Sequence, residues 1–166
     1  MMKMKRCLIV TGGTIDIAFA KDFLSQRSYD YVIAADAGLE VLRPLHISPN
    51  AVVGDLDTVD KKVLEEYQNQ PDIEFEIHKP EKDETDTELA FRDALEAGCV
   101  FVDMLGATGG RLDHELSNIQ LLAQGRKKGL RVTIYDAFNK IFLADAELDP
   151  QVVFEREGLY GRYVSF

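Results

Sequence analysis

The chain has 166 residues, 46% hydrophobic and 29% charged, which is apolar material enough for one ordinary domain, or one domain and part of a second. Nineteen Lys and Arg against 29 Asp and Glu leave a net charge of −10, which argues against nucleic acid or an anionic membrane as partner, since both call for clustered cations. Cys7 and Cys99 show no CxxC spacing and make no disulfide framework, and the apolar run at 7–10 is too short for a signal-peptide core, so reduced thiols and a cytoplasmic location are expected.

Short apolar runs alternate with helix-period segments, the pattern of a parallel α/β sheet. Residues 7–10 read as a first strand ending in Thr11-Gly12-Gly13-Thr14, followed by a short helix at 18–26. A second strand at 31–35 stops at Asp36, and 38–45 read as a helix. Residues 51–53 form a third strand running into Gly54-Asp55-Leu56-Asp57, then come an amphipathic helix at 61–68 and a strand at 73–77. The clearest helix covers 85–97: Leu89, Ala90 and Ala94 share a face, Thr85 and Glu88 make a capping box, and Gly98 ends it.

A buried strand at 100–105 leads through a glycine-rich turn at 106–110 into a long helix at 112–128, stopped by Gly129. Leu112, Leu116, Ile119 and Ala123 are predicted as its inward stripe. Beyond it, 131–135, 140–143, 152–155 and 162–166 read as strands with no helix between them. The expectation is a Rossmann-like, parallel-sheet α/β domain over 1–137 and the start of an all-β module over 138–166. A last strand with nothing after it needs a partner, so the module is expected to be truncated at Phe166.

Four polar clusters fall where strands end, which is where open parallel sheets bind ligands. Asp36-Ala37-Gly38 offers a carboxylate, or merely a turn former. Asp55 and Asp57, two apart in extended chain, project to one side, and a Mg²⁺ ion would relieve their repulsion; an exposed acidic turn is the plainer alternative. Asp83 and Asp86 stand three apart at the start of a helix, where acids also favour the helix dipole. If their strand neighbours the third one, three carboxylates converge and a metal becomes the better reading.

The last cluster is Gly109-Gly110-Arg111-Leu112-Asp113-His114, with Asn118 one turn on. Glycines admit phosphate oxygens to the backbone N–H groups, and Arg111 adds a fixed cationic fork. His114 suits a ribose-side hydrogen bond, and Gly12-Gly13-Thr14 a contact with phosphate or adenosine. Neither a Walker A sequence nor GxGxxG occurs.

GGT, ADAG, GDLDT, KDETDTE and GGRLDHELSNIQLL, in this order, resemble the thiamine pyrophosphokinase family from about Cys7 to beyond Asn139. The resemblance implies transfer of pyrophosphate from ATP to the hydroxyl of thiamine, giving thiamine diphosphate and AMP with Mg²⁺ as cofactor. It also implies a C-terminal β-sandwich and a homodimer with thiamine at the subunit interface. By position, Asp55, Asp57 and Asp86 match the family's metal-binding acids, and Asp83, Thr85, Arg111 and Asp113 its nucleotide and phosphate site. Asp36 matches an acid near the substrates. Ala37 and Thr58 depart from the usual glycine and serine. On this reading Arg111 stabilises developing charge, and either Asp36 or Asp113 takes the hydroxyl proton. A pterin pyrophosphokinase, a metal-dependent phosphohydrolase and a nucleotide-binding module without catalysis are the rival readings.

Overall fold

A computed structural model describes residues 4–78, 85–147, 149–155 and 160–165. The elements in chain order are β1 (Lys5–Val10), α1 (Ile17–Ser25), β2 (Tyr31–Ala35), α2 (Gly38–Leu42), β3 (Ala51–Gly54) and α3 (Lys61–Gln68). After them come β4 (Glu74–Ile77), α4 (Asp86–Glu96), β5 (Cys99–Leu105), α5 (Leu112–Lys127), β6 (Arg131–Tyr135) and β7 (Lys140–Phe142). All seven strands join one sheet in the order β4-β3-β2-β1-β5-β6-β7. The pairings are parallel except the last, where β7 runs antiparallel to β6.

Strand alternation sorts the apolar residues into two cores. On β1, Cys7 and Ile9 face one side with Leu89, Phe91 and Ala94 of α4 and Leu121 and Leu122 of α5. Leu8 and Val10 face the other, against Phe23 of α1, Leu39 and Leu42 of α2 and Val63 and Tyr67 of α3. The result is a sheet covered by helices on both faces, which is why its central strands are continuous apolar runs. Each fully buried Leu, Ile or Val contributes about 1.5–3 kcal/mol.

Helix starts follow local chemistry. Asp16 caps α1 by accepting from the Phe19 N–H, and Asp60 caps α3 through the N–H groups of Lys62 and Val63. Thr85 and Glu88 form the expected capping box on α4. Among the described residues no helix is long and apolar enough to cross a membrane.

Two expectations fail. The inward face of α5 consists of Leu121, Leu122 and Gly125, whereas Leu112, Leu116, Ile119 and Ala123 are exposed. The buried face lies about 140° round the helix from the expected stripe, where Gly125 lets the helix close onto Phe91 and Val132. Residues 152–155 and the described part of 162–166 are not strands, and β7 extends the parallel sheet at its edge.

Candidate active site

The strand order reverses between β1 and β5, so the loops leaving these strands diverge and open a crevice at their carboxyl ends. Its floor is stitched from both sides. Thr11 donates its N–H to the Leu105 carbonyl (2.9 Å) and its hydroxyl to the Gly106 carbonyl (2.6 Å), and the Gly13 N–H reaches the same Gly106 oxygen at 3.0 Å. A Cβ on Gly13 would lie 2.0 Å from that oxygen, so only glycine fits.

Asp36 ends β2 with a left-handed backbone, φ 53°. Its N–H donates to the Val53 carbonyl (2.9 Å), and its Oδ1 accepts from the Leu56 N–H at 3.3 Å. Leu56 is itself left-handed, φ 59°, and its side chain is buried. The chain between Asp55 and Asp57 is therefore kinked, and the expected extended geometry does not hold. Asp55 lines the crevice; Asp57 is exposed and does not. The two carboxyls still meet, and the hydrogen bond to Asp55, then its charge, raise the pKa of Asp57.

β3 and β4 are neighbours, so α4, following β4, brings Asp86 into the same crevice. Burial, then the charges of Asp86 and Asp55, push Asp36 up to about 6. Asp83 lies outside the described residues.

The glycine turn after β5 is held from α5. Asn118 donates its amide N–H to the Ala107 carbonyl (3.0 Å) and accepts from the Thr87 hydroxyl (3.3 Å), joining the turn to the first turn of α4. Glu115 Oε1 accepts from the N–H groups of Gly109 (2.6 Å) and Gly110 (2.9 Å), the groups expected to meet phosphate. Exposed Arg111 pairs bidentately with Asp113 (3.1 and 2.6 Å), and that hydrogen bonding holds Asp113 below the ordinary carboxylate range. Thr108 donates to Asp136, at the end of β6, at 2.7 Å. Burial raises Asp136, but the bonds from Thr108 and Asn139 outweigh it and keep it low.

The crevice encloses about 690 Å³, within the range of small-molecule sites. Gly12, Gly13, Thr14, Asp36, Asp55, Thr85, Asp86, Gly110, Arg111, His114 and Asn118 all line it, while Gly109, Asp57 and Asp113 do not. Among the described residues no three His, Cys, Asp or Glu side chains stand as a ready metal cage.

The model for the thiamin pyrophosphokinase catalytic domain matches residues 24–134, more than half of the chain. The chain belongs to this family. It is 34% identical over 109 residues to the thiamine pyrophosphokinase of Bacillus subtilis, covering 66% of this chain and 50% of that protein. The crystal structure of the Bacillus subtilis thiamine pyrophosphokinase superposes with a TM-score of 0.69 at 30% identity, covering 82% of this chain and 62% of the other. That of a thiamin pyrophosphokinase family protein from Enterococcus faecalis gives 0.63 at 31% identity, over 81% and 63%. The chain thus spans about half the length of the curated Bacillus subtilis relative.

Glu115 and Asp136 escaped the sequence reading. Glu115 passes for one more acid in a first turn, where the helix dipole alone explains it. The signal for Asp136 was its position after a strand end beside the crevice, like that of Asp36.

Proposed function

We propose that this chain carries the Mg·ATP site of a thiamine pyrophosphokinase and transfers the β,γ-pyrophosphoryl group of ATP to the primary hydroxyl of thiamine. The oxygen–β-phosphorus bond forms, the bond between the β-phosphorus and the bridging oxygen to the α-phosphate breaks, AMP leaves with the bond electrons, and the hydroxyl proton passes to a base. The observation that carries the reading is one crevice at the strand reversal, lined by both glycine turns and by acids from β2, β3 and α4.

Asp36, Asp55 and Asp86 share that crevice, and the charges of the last two disfavour ionisation of the first. Like charges so gathered suit a hard divalent cation. Asp55, Asp57 and Asp86 are the residues proposed to hold Mg²⁺, which would screen the phosphates from this acidic chain and neutralise charge on the leaving group. Arg111, freed from Asp113, supplies a cationic fork for phosphate oxygens. Asp36 suits the proton acceptor better than Asp113: it lines the crevice and its carboxyl is partly buried there, while Asp113 is exposed and outside the crevice wall. Thr14, Thr85, His114 and Asn118 border the space for the nucleoside and phosphates. Asp83 belongs to the same proposal through the family motif.

Residues 1–137 are read as the catalytic domain and 138–166 as contributing to thiamine binding, with a homodimer completing the acceptor pocket and the cytoplasm as its location. The test is AMP release from ATP with and without thiamine. The reading expects AMP only when thiamine is present; ATP breakdown without an acceptor would favour a phosphohydrolase, and AMP formed only with a pterin alcohol would move the acceptor.

A further inference from the structure

One oxygen of Glu115 takes both N–H groups of the Gly109–Gly110 pair, and a carboxylate on two amides makes strong, charge-assisted hydrogen bonds. Arg111, the N-cap of α5, makes no side-chain capping bond, and Glu115 reaches back past it to two N–H groups that precede the helix. Together with Asn118 on the Ala107 carbonyl, it fastens the first two turns of α5 to the glycine turn at three backbone groups. The next residue in the chain is Arg111, whose exposed guanidinium pairs with Asp113.

A carboxylate in this place can serve in two ways. It can compete with phosphate for the two amides, or it can fix the turn so that phosphate meets Gly110 and Arg111 in a set position. The geometry favours the second. Glu115 and Gly110 line the crevice but Gly109 does not, so one of the two amides that Glu115 holds faces away from the space where a nucleotide would run. The turn is also fixed on its other side, by the Gly13 N–H on the Gly106 carbonyl, so the clamp completes a rigid frame.

We infer that Glu115 is a positioning residue for the phosphates of the nucleotide, acting through the Gly110–Arg111 segment whose course its carboxylate sets. The inference rests on the Mg·ATP reading given above. It assigns Glu115 no contact with the reacting atoms. A glutamine at this position keeps an oxygen able to accept both amides; an alanine keeps nothing.

Calorimetric titration of Mg·ATP into the parent chain, E115A, E115Q, R111A and E115A/R111A tests it, with thermal melts to verify folding. E115A should weaken binding about tenfold, the loss of roughly 1.4 kcal/mol, with E115Q close to the parent. In the R111A background the further loss from E115A should largely vanish, because the clamp acts through that arginine. Tighter binding by E115A would reveal a competitor and overturn the proposal, as would unchanged binding, an E115Q as weak as E115A, or full additivity with R111A. If E115A does not fold, E115Q and R111A still decide: an E115Q that melts like the parent but binds as weakly as R111A overturns it. A parent chain that ignores Mg·ATP defeats the nucleotide reading itself and this inference with it.

Discussion

Asp36 and Leu56 lock the ends of β2 and β3 together: the Leu56 N–H donates to Asp36 Oδ1 at 3.3 Å, and both residues hold left-handed backbones. Such a conformation is an outlier for a bulky residue like leucine and persists only where its surroundings impose it. Here burial of the Leu56 side chain, beside Val59 and Val63, imposes it. The kink sends Asp55 into the crevice and leaves Asp57 exposed. Leu56→Ala should cost about 2–4 kcal/mol of stability and weaken Mg·ATP binding. Denaturant unfolding beside calorimetry checks this; unchanged stability would mean that the side chain does not hold the kink.

Asp36→Asn removes the proposed proton acceptor while keeping an oxygen for the Leu56 N–H. Thiamine-dependent AMP release should fall by about 10²–10⁴-fold, with Mg·ATP affinity nearly retained. Asp113→Asn, which only unpairs Arg111, should cost far less. Equal losses in both variants would return the choice of base to where the sequence left it.

Two turns along α4 from Asp86, Asp93 meets Glu76 of β4, with Arg92, Glu96 and His78 nearby. Burial, then the hydrogen bond to Glu76 and its charge, raise Asp93 to about 7. Burial pushes Glu76 up too, but Asp93, His78 and Arg92 overcome it and hold it low. A carboxyl whose folded pKa exceeds its unfolded value binds a proton more tightly when folded, so its contribution falls as pH rises from about 4 to 7. Glu76 acts in the opposite direction below its own unfolded value. Asp93→Asn should therefore gain stability relative to the parent as pH rises through that window. Melting curves at pH 5 and pH 8 would show it; a difference independent of pH would contradict tighter proton binding by Asp93 in the folded chain.

Gly13→Ala would drive a Cβ into the Gly106 carbonyl at 2.0 Å. Neither atom can yield without moving backbone, so a loss of about 1–3 kcal/mol is expected, together with weaker nucleotide binding. A fully stable, fully binding Gly13→Ala chain would show that the two loops are not held as tightly as their hydrogen bonds indicate.

Much of the fold was legible because the helix and strand periods differ and the punctuation is strong. β2 and α3 lie where the apolar pattern put them, and the Thr85–Glu88 box starts α4. The adjacency of β3 and β4, on which the gathering of acids depended, also holds. The rotation of α5 was not legible, since it follows from the space Gly125 leaves for Phe91 and Val132, a relation between distant segments. A left-handed leucine was equally hidden, because local rules reserve that conformation for glycine or asparagine. The role of Glu115 was masked by a commoner explanation for acids in a first turn.

The central claim is that acids from separate segments make this crevice a cation-dependent polyphosphate site. Calorimetric titration of ATP into the parent chain and Asp55→Ala, each with and without Mg²⁺, tests it most directly. Binding by the parent only with Mg²⁺, and its loss in Asp55→Ala, is the predicted result. ATP bound equally well without the cation, or by the variant as by the parent, would contradict it.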